Sequence, residues 1–336
     1  MSLRVGVIGT GAIGRVHIER ISERLSGAEI VAVSDVNRSQ AEQVVTDYGL
    51  KAEVFDNGEA LINSAAVDAV IVASWGPTHE EFVLECIAAG KPVFCEKPLA
   101  VTAEGCKAIV DAEIASGRKL VQVGFMRRYD AAYRQLKDAI VQNRIGAPLT
   151  LNCAHRAPAA PGFTGDMAIT DSCVHEFDVL RWLLDEDYVS AQVILPRKTT
   201  LCDEHLQDPH VVQLRTQSGV HISIESFVNC QYGYDIRCQV TGETGIAHLP
   251  QPASVTLQTH ATEQSAIIVD WQERFVAAFD TEFQCWINDC NRGEMNGPTA
   301  WDGYVVAVTA DACVKAKHSG QIEPINLPAT PDFYRG

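Results

Sequence analysis

The chain has 336 residues, of which 46% are hydrophobic and 21% charged, a globular composition with apolar material for about two domains. Its formal net charge of −16 argues against nucleic acid or an anionic membrane surface as a partner, because either would need a basic face. The eleven cysteines include Cys86, Cys95, Cys106, Cys153 and Cys173 in apolar runs, with a spacing that suits neither a zinc cluster nor a disulfide framework; reduced, buried thiols are expected.

The apolar, β-branched run at residues 3–8 reads as a buried strand. A glycine-rich turn follows at 9–14, then a helix to about residue 25. A strand at 28–34 and a helix at 39–48, stopped by Gly49, come next. Strands at 68–74, 92–95 and 120–124 alternate with helices at 79–89 and 102–116, closed by Gly90 and Gly117. Such alternation predicts a parallel sheet covered on both faces. The pattern changes near residue 125. A linking helix at 131–142 precedes strands at 149–154, 189–195, 209–216, 220–228, 235–241, 245–249 and 266–270. Gln217-Ser218-Gly219 and Gly242-Glu243-Thr244 mark hairpin turns. Helices are expected at 169–184, 272–290 and 299–316. The fold class is thus α/β, with a parallel-sheet domain at 1–125 and an α+β domain with an open, mostly antiparallel sheet at 126–336. No apolar run approaches the ~18–20 residues of a membrane span, and no signal peptide precedes the first strand. A cytoplasmic location is expected.

Gly9-Thr10-Gly11-Ala12-Ile13-Gly14 matches GxGxxG between a strand and a helix. In that context Gly9 allows the tight turn, Gly11 lets the backbone approach a pyrophosphate, and Gly14 lets helix and strand pack closely. The pyrophosphate would sit at the helix N-terminus. Asp35 ends the second strand, where a carboxylate binds the ribose hydroxyls and repels a 2′-phosphate. That favours NAD, although Arg38 nearby keeps NADP open. Ser74-Trp75-Gly76-Pro77-Thr78-His79 follows the third strand at its carboxyl end, the side on which such sheets bind ligands. Trp75 there either packs on the cofactor or closes the edge of the core.

Three segments can carry proton chemistry. Lys97, in Glu96-Lys97-Pro98, also follows a strand; it is either a surface lysine or a group that binds a hydroxyl and relays its proton. Asp171 and His175 are four residues apart, on one face of the expected helix, with Asp178 three further on. A carboxylate beside a histidine suits a general base, but an N-cap aspartate with a satisfied core histidine fits the same spacing. Phe125-Met126-Arg127-Arg128-Tyr129-Asp130 offers Arg127 as a donor to substrate hydroxyls, or either arginine as an interdomain ion pair. His155 ends the next strand. The ten histidines show no metal-ligand spacing, and hydride transfer needs no metal, so none is expected.

GTGAIG, SWGPTHEE, CEKPLA, QVGFMRRYD, the DxxxHEFDVL segment and YGYDI occur in one order. Together they resemble the glucose–fructose oxidoreductase/inositol dehydrogenase family, and its inositol-oxidising branch, over essentially the whole chain. The resemblance implies a Rossmann domain followed by a substrate-binding and oligomerisation domain whose sheet face mediates a homotetramer. It implies NAD-dependent oxidation of myo-inositol, or also D-chiro-inositol, to 2-keto-myo-inositol (scyllo-inosose). The alternatives are a dehydrogenase of another cyclic polyol or aldose, and a non-catalytic NAD-sensing regulator. The cofactor would be held by Gly9, Gly11, Ala12, Ile13, Gly14, Asp35, Val36, Ser74, Trp75, His79, Glu96 and Lys97. Lys97, Asp171 and His175 would be catalytic. Lys97, Met126, Arg127, His155, Asp171, His175 and Tyr234 would surround the polyol, with Asp178 supporting the site. One departure is Ala157, which follows His155-Arg156 where relatives often carry Asn; alanine cannot hydrogen-bond a ring hydroxyl.

Overall fold

A computed structural model describes residues 2–335, and the chain forms two compact units. The first combines the stretch ending at Phe125 with Phe279–Ala307 and the segment from Pro328 onward. The second combines Met126–Ala278 with Val308–Leu327. The units therefore differ from two uninterrupted stretches at 1–125 and 126–336. The cause is apolar packing: Phe283, Trp286, Ile287 and Met295 belong to the same buried cluster as Val5, Val7, Ile18, Ile71 and Phe94. The Phe94 and Phe283 rings lie 4.2 Å apart.

The first unit alternates β1 (Leu3–Ile8), α1 (Ala12–Glu23), β2 (Ala28–Ser34), α2 (Arg38–Asp47), β3 (Glu53–Phe55), α3 (Gly58–Asn63), β4 (Ala69–Val72), α4 (His79–Ala88), β5 (Val93–Cys95), α5 (Ala103–Ser116) and β6 (Val121–Val123). All six strands pair in parallel, in the order β3-β2-β1-β4-β5-β6. The strands β4 and β5 are buried at every position, as expected of a parallel sheet covered on both faces. The sequence pattern predicts no element over residues 53–63, where β3 and α3 form; both are short, and β3 carries only three residues. Local chemistry sets the helix limits. Thr102 Oγ1 accepts from Gly105 N at 3.0 Å to start α5, and Gly117 ends it at φ +67°.

The second unit contains α6 (Ala131–Val141), β7 (Pro148–Arg156), α7 (Val174–Leu184), β8 (Tyr188–Ile194), β9 (His210–Thr216), β10 (His221–Phe227), β11 (Asp235–Gly242), β12 (Ile246–His248), β13 (Thr256–Thr259), β14 (Thr262–Ser265) and β15 (Glu323–Pro324). The helices α8 (Trp271–Arg292) and α9 (Ala300–Ser319) each contribute to both units. Seven strands form a mixed sheet in the order β12-β11-β7-β10-β9-β8-β15, antiparallel except for β7 against β10. Its strands alternate buried and partly exposed residues, the mark of a sheet with one covered face.

Two expectations for this unit are corrected. The strand at 266–270 is absent. Its apolar residues Ala266, Ile267 and Val269 are exposed rather than facing a core, and its backbone bonds do not form a ladder: Ile268 O accepts from Tyr234 N at 2.6 Å and Ala266 N donates to Ser254 Oγ at 3.0 Å. The nearby hairpin is β13–β14 instead. The helix at 169–184 is not uniform: a π-helical turn at Ala168–Cys173 leads into α7. Among the described residues no helix is long and apolar enough to cross a membrane, and none of the eleven cysteines forms a disulfide.

Candidate active site

In the first unit, the central strand β1 lies between β2 and β4, so the order reverses there and a crevice opens beyond the strand ends. Gly9 follows β1 with φ +93°, and a side chain on it would lie 2.5 Å from the Ala73 carbonyl oxygen. The turn after β1 therefore touches the end of β4. A Cβ on Gly14 would lie 2.0 Å from the Gly9 carbonyl oxygen, whereas one on Gly11 would meet nothing within 4 Å. Gly14 is closed by packing, and Gly11 faces open space. Gly11 caps α1 without a side-chain bond, which leaves the N–H groups of the first turn, including Ala12 and Ile13, for an anion.

Asp35 is fixed in place. Its Oδ2 accepts from Thr10 N at 2.7 Å and from Thr10 Oγ1 at 3.0 Å, and its Oδ1 from Asn37 N at 2.8 Å. Three of about four acceptor positions are used, so the carboxylate keeps capacity for a ribose hydroxyl. Val36, beside it, is fully exposed, and Trp75 is 78% exposed. These two are apolar surfaces free to cover a flat ring. Ser74 Oγ and Thr78 Oγ1 share a hydrogen bond of 2.7 Å. The His79 ring lies between the Pro98 and Ser74 carbonyl oxygens, at 2.7 and 3.0 Å, and so ties two loops together. The residues present fit a dinucleotide.

Lys97 follows β5, is half-buried, and is joined to Pro98 by a cis peptide bond. The Glu96 carboxylate is turned into the unit. Its Oε1 lies 2.6 Å from His17 Nε2, and its Oε2 accepts from Lys97 N at 3.2 Å. Burial lowers the His17 pKa, which keeps the ring neutral. Arg20 Nη1 donates to His17 Nδ1 at 3.1 Å, so the proton sits on Nε2 and points at Glu96. Asp280 in turn accepts from Arg20 Nε at 2.6 Å. The segment bearing Lys97 is thus anchored by a buried chain of polar side chains.

In the second unit the polar residues gather at the end of β7. Arg127, in the 3₁₀ turn Met126–Tyr129, is 1% exposed and donates through Nη1 to Glu176 Oε1. His155 Nδ1 lies 2.9 Å from Glu176 Oε2 and 3.4 Å from Arg127 Nη2. Tyr234 meets the His155 ring edge-on at 6.0 Å, and Phe275 lies 5.5 Å below the Arg127 guanidinium. Arg128 Nε donates to Asp178 Oδ2 at 2.9 Å, so Asp178 supports the turn that carries Arg127. Both arginines pair inside this unit. Met126 is buried in the same turn.

Asp171 lies in the π-helical turn and His175 in the first turn of α7; both are half-buried. Their stacking on a plain α-helical face is replaced by the wider i→i+5 geometry, which occurs often at functional sites. Two buried residues escaped the sequence reading. His17 lies on α1 three residues before Arg20, a spacing that places both on one face. Glu176 adjoins His175, and its partners, Arg127 and His155, lie 49 and 21 residues away.

A family model described as an oxidoreductase family with an NAD-binding Rossmann fold matches residues 3–125, and the model of that family's C-terminal alpha/beta domain matches 137–327. The chain belongs to this oxidoreductase family. It is an NAD-dependent enzyme, as its motifs imply. It is 59% identical to the inositol 2-dehydrogenase of Serratia proteamaculans (strain 568) over 335 residues, 99% of each chain. It is 60% identical to the inositol 2-dehydrogenase of Azotobacter vinelandii (strain DJ / ATCC BAA-1303), again over 99% of each. The crystal structure of myo-inositol dehydrogenase from Lactobacillus casei, in complex with NAD(H) and myo-inositol, superposes with a TM-score of 0.97. Sequence identity there is 42%, over 99% of this chain and 100% of that one.

Proposed function

We propose that the chain oxidises myo-inositol at carbon 2, giving 2-keto-myo-inositol (scyllo-inosose), NADH and a proton. The observation that carries this reading is the near-60% identity, end to end, with inositol 2-dehydrogenases. The dinucleotide is assigned to Gly9, Gly11–Gly14, Asp35, Val36, Ser74 and Trp75, with Asp35 disfavouring a 2′-phosphate. Bound NAD supplies the hydride acceptor. His175, oriented by Asp171, takes the hydroxyl proton, and Lys97 hydrogen-bonds the same oxygen and assists the transfer. Arg127, His155 and Tyr234 bind the remaining hydroxyls. Because Ala157 offers no side-chain hydrogen bond, a shift of preference towards another inositol such as D-chiro-inositol is the second reading.

We assign the protein to the cytoplasm as a homotetramer assembled through the open face of the seven-stranded sheet. That face carries Asn152, Arg156, Ser223, Glu225 and Arg237, with Arg156 and Glu225 paired at 2.7 Å. Light scattering after gel filtration reads the mass directly; a monomer rejects the assembly. The activity itself is tested by NADH absorbance against a panel of polyols at fixed NAD. Turnover is expected with myo-inositol, and a fall of about 10²–10⁴ in kcat in Lys97→Ala and in His175→Ala. Near-normal kcat in either variant refutes its role. Silence of the wild type across all polyols favours a regulator.

A further inference from the structure

Glu176 is 1% exposed and divides its two carboxylate oxygens between two segments, Oε1 to Arg127 of the 3₁₀ turn and Oε2 to His155 at the end of β7. The polarity of this arrangement is decided by the donors. An arginine can only donate, and an ionised carboxylate can only accept. If His155 Nδ1 carried a lone pair, that lone pair would face the carboxylate at 2.9 Å, which is repulsive. The competing arginine contact is longer, at 3.4 Å. The proton therefore sits on Nδ1, and in the neutral ring Nε2 is left as an acceptor. Arg127 is held by the same carboxylate, while its buried Nε–H has no hydrogen-bond partner. Burial alone would push the Glu176 carboxyl up, but Arg127 and His155 hold it down at about 2, so it is anionic at neutral pH.

We propose that Glu176 is a positioning residue for the polyol: it fixes His155 in its Nδ1–H form, so that Nε2 accepts from one substrate hydroxyl, and it holds Arg127 to donate to another. One buried carboxylate thereby sets one acceptor and one donor, the pair that a polyol with several ring hydroxyls can satisfy. This rests on the polyol reading above, and two measurements keep the failures apart. The first needs no substrate. Nitrogen NMR of the full-length, ¹⁵N-histidine-labelled protein, with His155 assigned by loss of its signal in His155→Gln, reads the tautomer directly. A protonated Nδ1 with an unprotonated Nε2 is expected. A proton on Nε2 alone overturns the proposal whatever the substrate.

The second measurement is steady-state kinetics. In Glu176→Gln the amide offers one acceptor and cannot serve both partners, so KM for the polyol should rise about tenfold or more, the equivalent of one lost hydrogen bond. The NADH Kd should stay unchanged, which general damage to the fold would not allow. Glu176→Asp keeps the charge and should recover part of the loss. An unchanged polyol KM in Glu176→Gln overturns the proposal. If that variant does not fold, the wild-type spectrum still decides. A wild type inactive on every polyol rejects the functional reading without touching the tautomer result.

Discussion

Gly11 and Gly14 occupy the same turn, and the structure assigns them opposite consequences when each is changed to alanine. At Gly14 the new Cβ would lie 2.0 Å from the Gly9 carbonyl oxygen and 3.0 Å from its carbon. Carbon–oxygen contacts settle near 3.3 Å, so backbone must move by about 1.3 Å. Overpacking of that kind costs about 1–3 kcal/mol, and at about 2–4 °C per kcal/mol for a domain of this size the ligand-free protein should lose several degrees of Tm. At Gly11 the new Cβ meets nothing within 4 Å, and φ of −69° suits alanine. Gly11→Ala should therefore melt like the wild type without ligand, while binding NADH about tenfold or more weakly because the methyl group occupies the approach to the pyrophosphate. Calorimetry without ligand and NADH fluorescence titration separate the two. A Gly11→Ala protein that loses as much Tm as Gly14→Ala, or that binds NADH normally, would refute the reasoning.

Four further outcomes follow. Asp35→Ser removes the carboxylate expected on the ribose and should lower kcat/KM for NAD by about 10–100-fold while raising the NADP/NAD ratio, as read by steady-state kinetics with each cofactor; an unchanged ratio removes Asp35 from the ribose. Trp286→Ala empties a fully buried position in the first unit's core and should cost about 3–5 kcal/mol in urea unfolding; a loss under 1 kcal/mol would contradict the packing. His210 is buried with neither ring nitrogen hydrogen-bonded, and burial, with nearby Lys317, lowers its pKa to about 4. The unfolded chain takes up that proton near pH 6.5, so this contribution is complete above about pH 6.5 and is lost, by at most ~3 kcal/mol, as pH falls towards 4. Melting curves should show a shallower decline between about pH 7 and 5 in His210→Gln than in the wild type; identical slopes exclude the effect. Ala157→Asn should shift the myo- to D-chiro-inositol ratio of kcat/KM towards myo-inositol, and no shift would show that position 157 does not select the isomer.

What was legible in the sequence was local. The Gly9–Gly14 turn, the strand before it and Asp35 after β2 lie within one short βαβ stretch, and each residue carries its own backbone or charge requirement. The polar row at the end of β7 was only half legible. Arg127 and His155 stood out as charged or titratable residues at strand ends, but Glu176 gives no signal until the fold brings β7 and the Met126–Tyr129 turn to α7. His17 and Glu96 are likewise 79 residues apart. The expected strand at 266–270 failed for the opposite reason: the apolar run Ala266–Val269 stands out in the sequence, but most of it is exposed in the fold. The return of α8 and α9 to the first unit was hidden because an apolar helix face does not state which core it covers.

The central claim is hydride transfer from carbon 2 of myo-inositol to NAD, and it is tested most directly with myo-inositol deuterated at that carbon. Turnover should deliver the deuteron to the nicotinamide, read by mass spectrometry of the reduced cofactor, with 2-keto-myo-inositol as the product. Unlabelled NADH from that substrate, or a ketone at a different ring carbon, would contradict it.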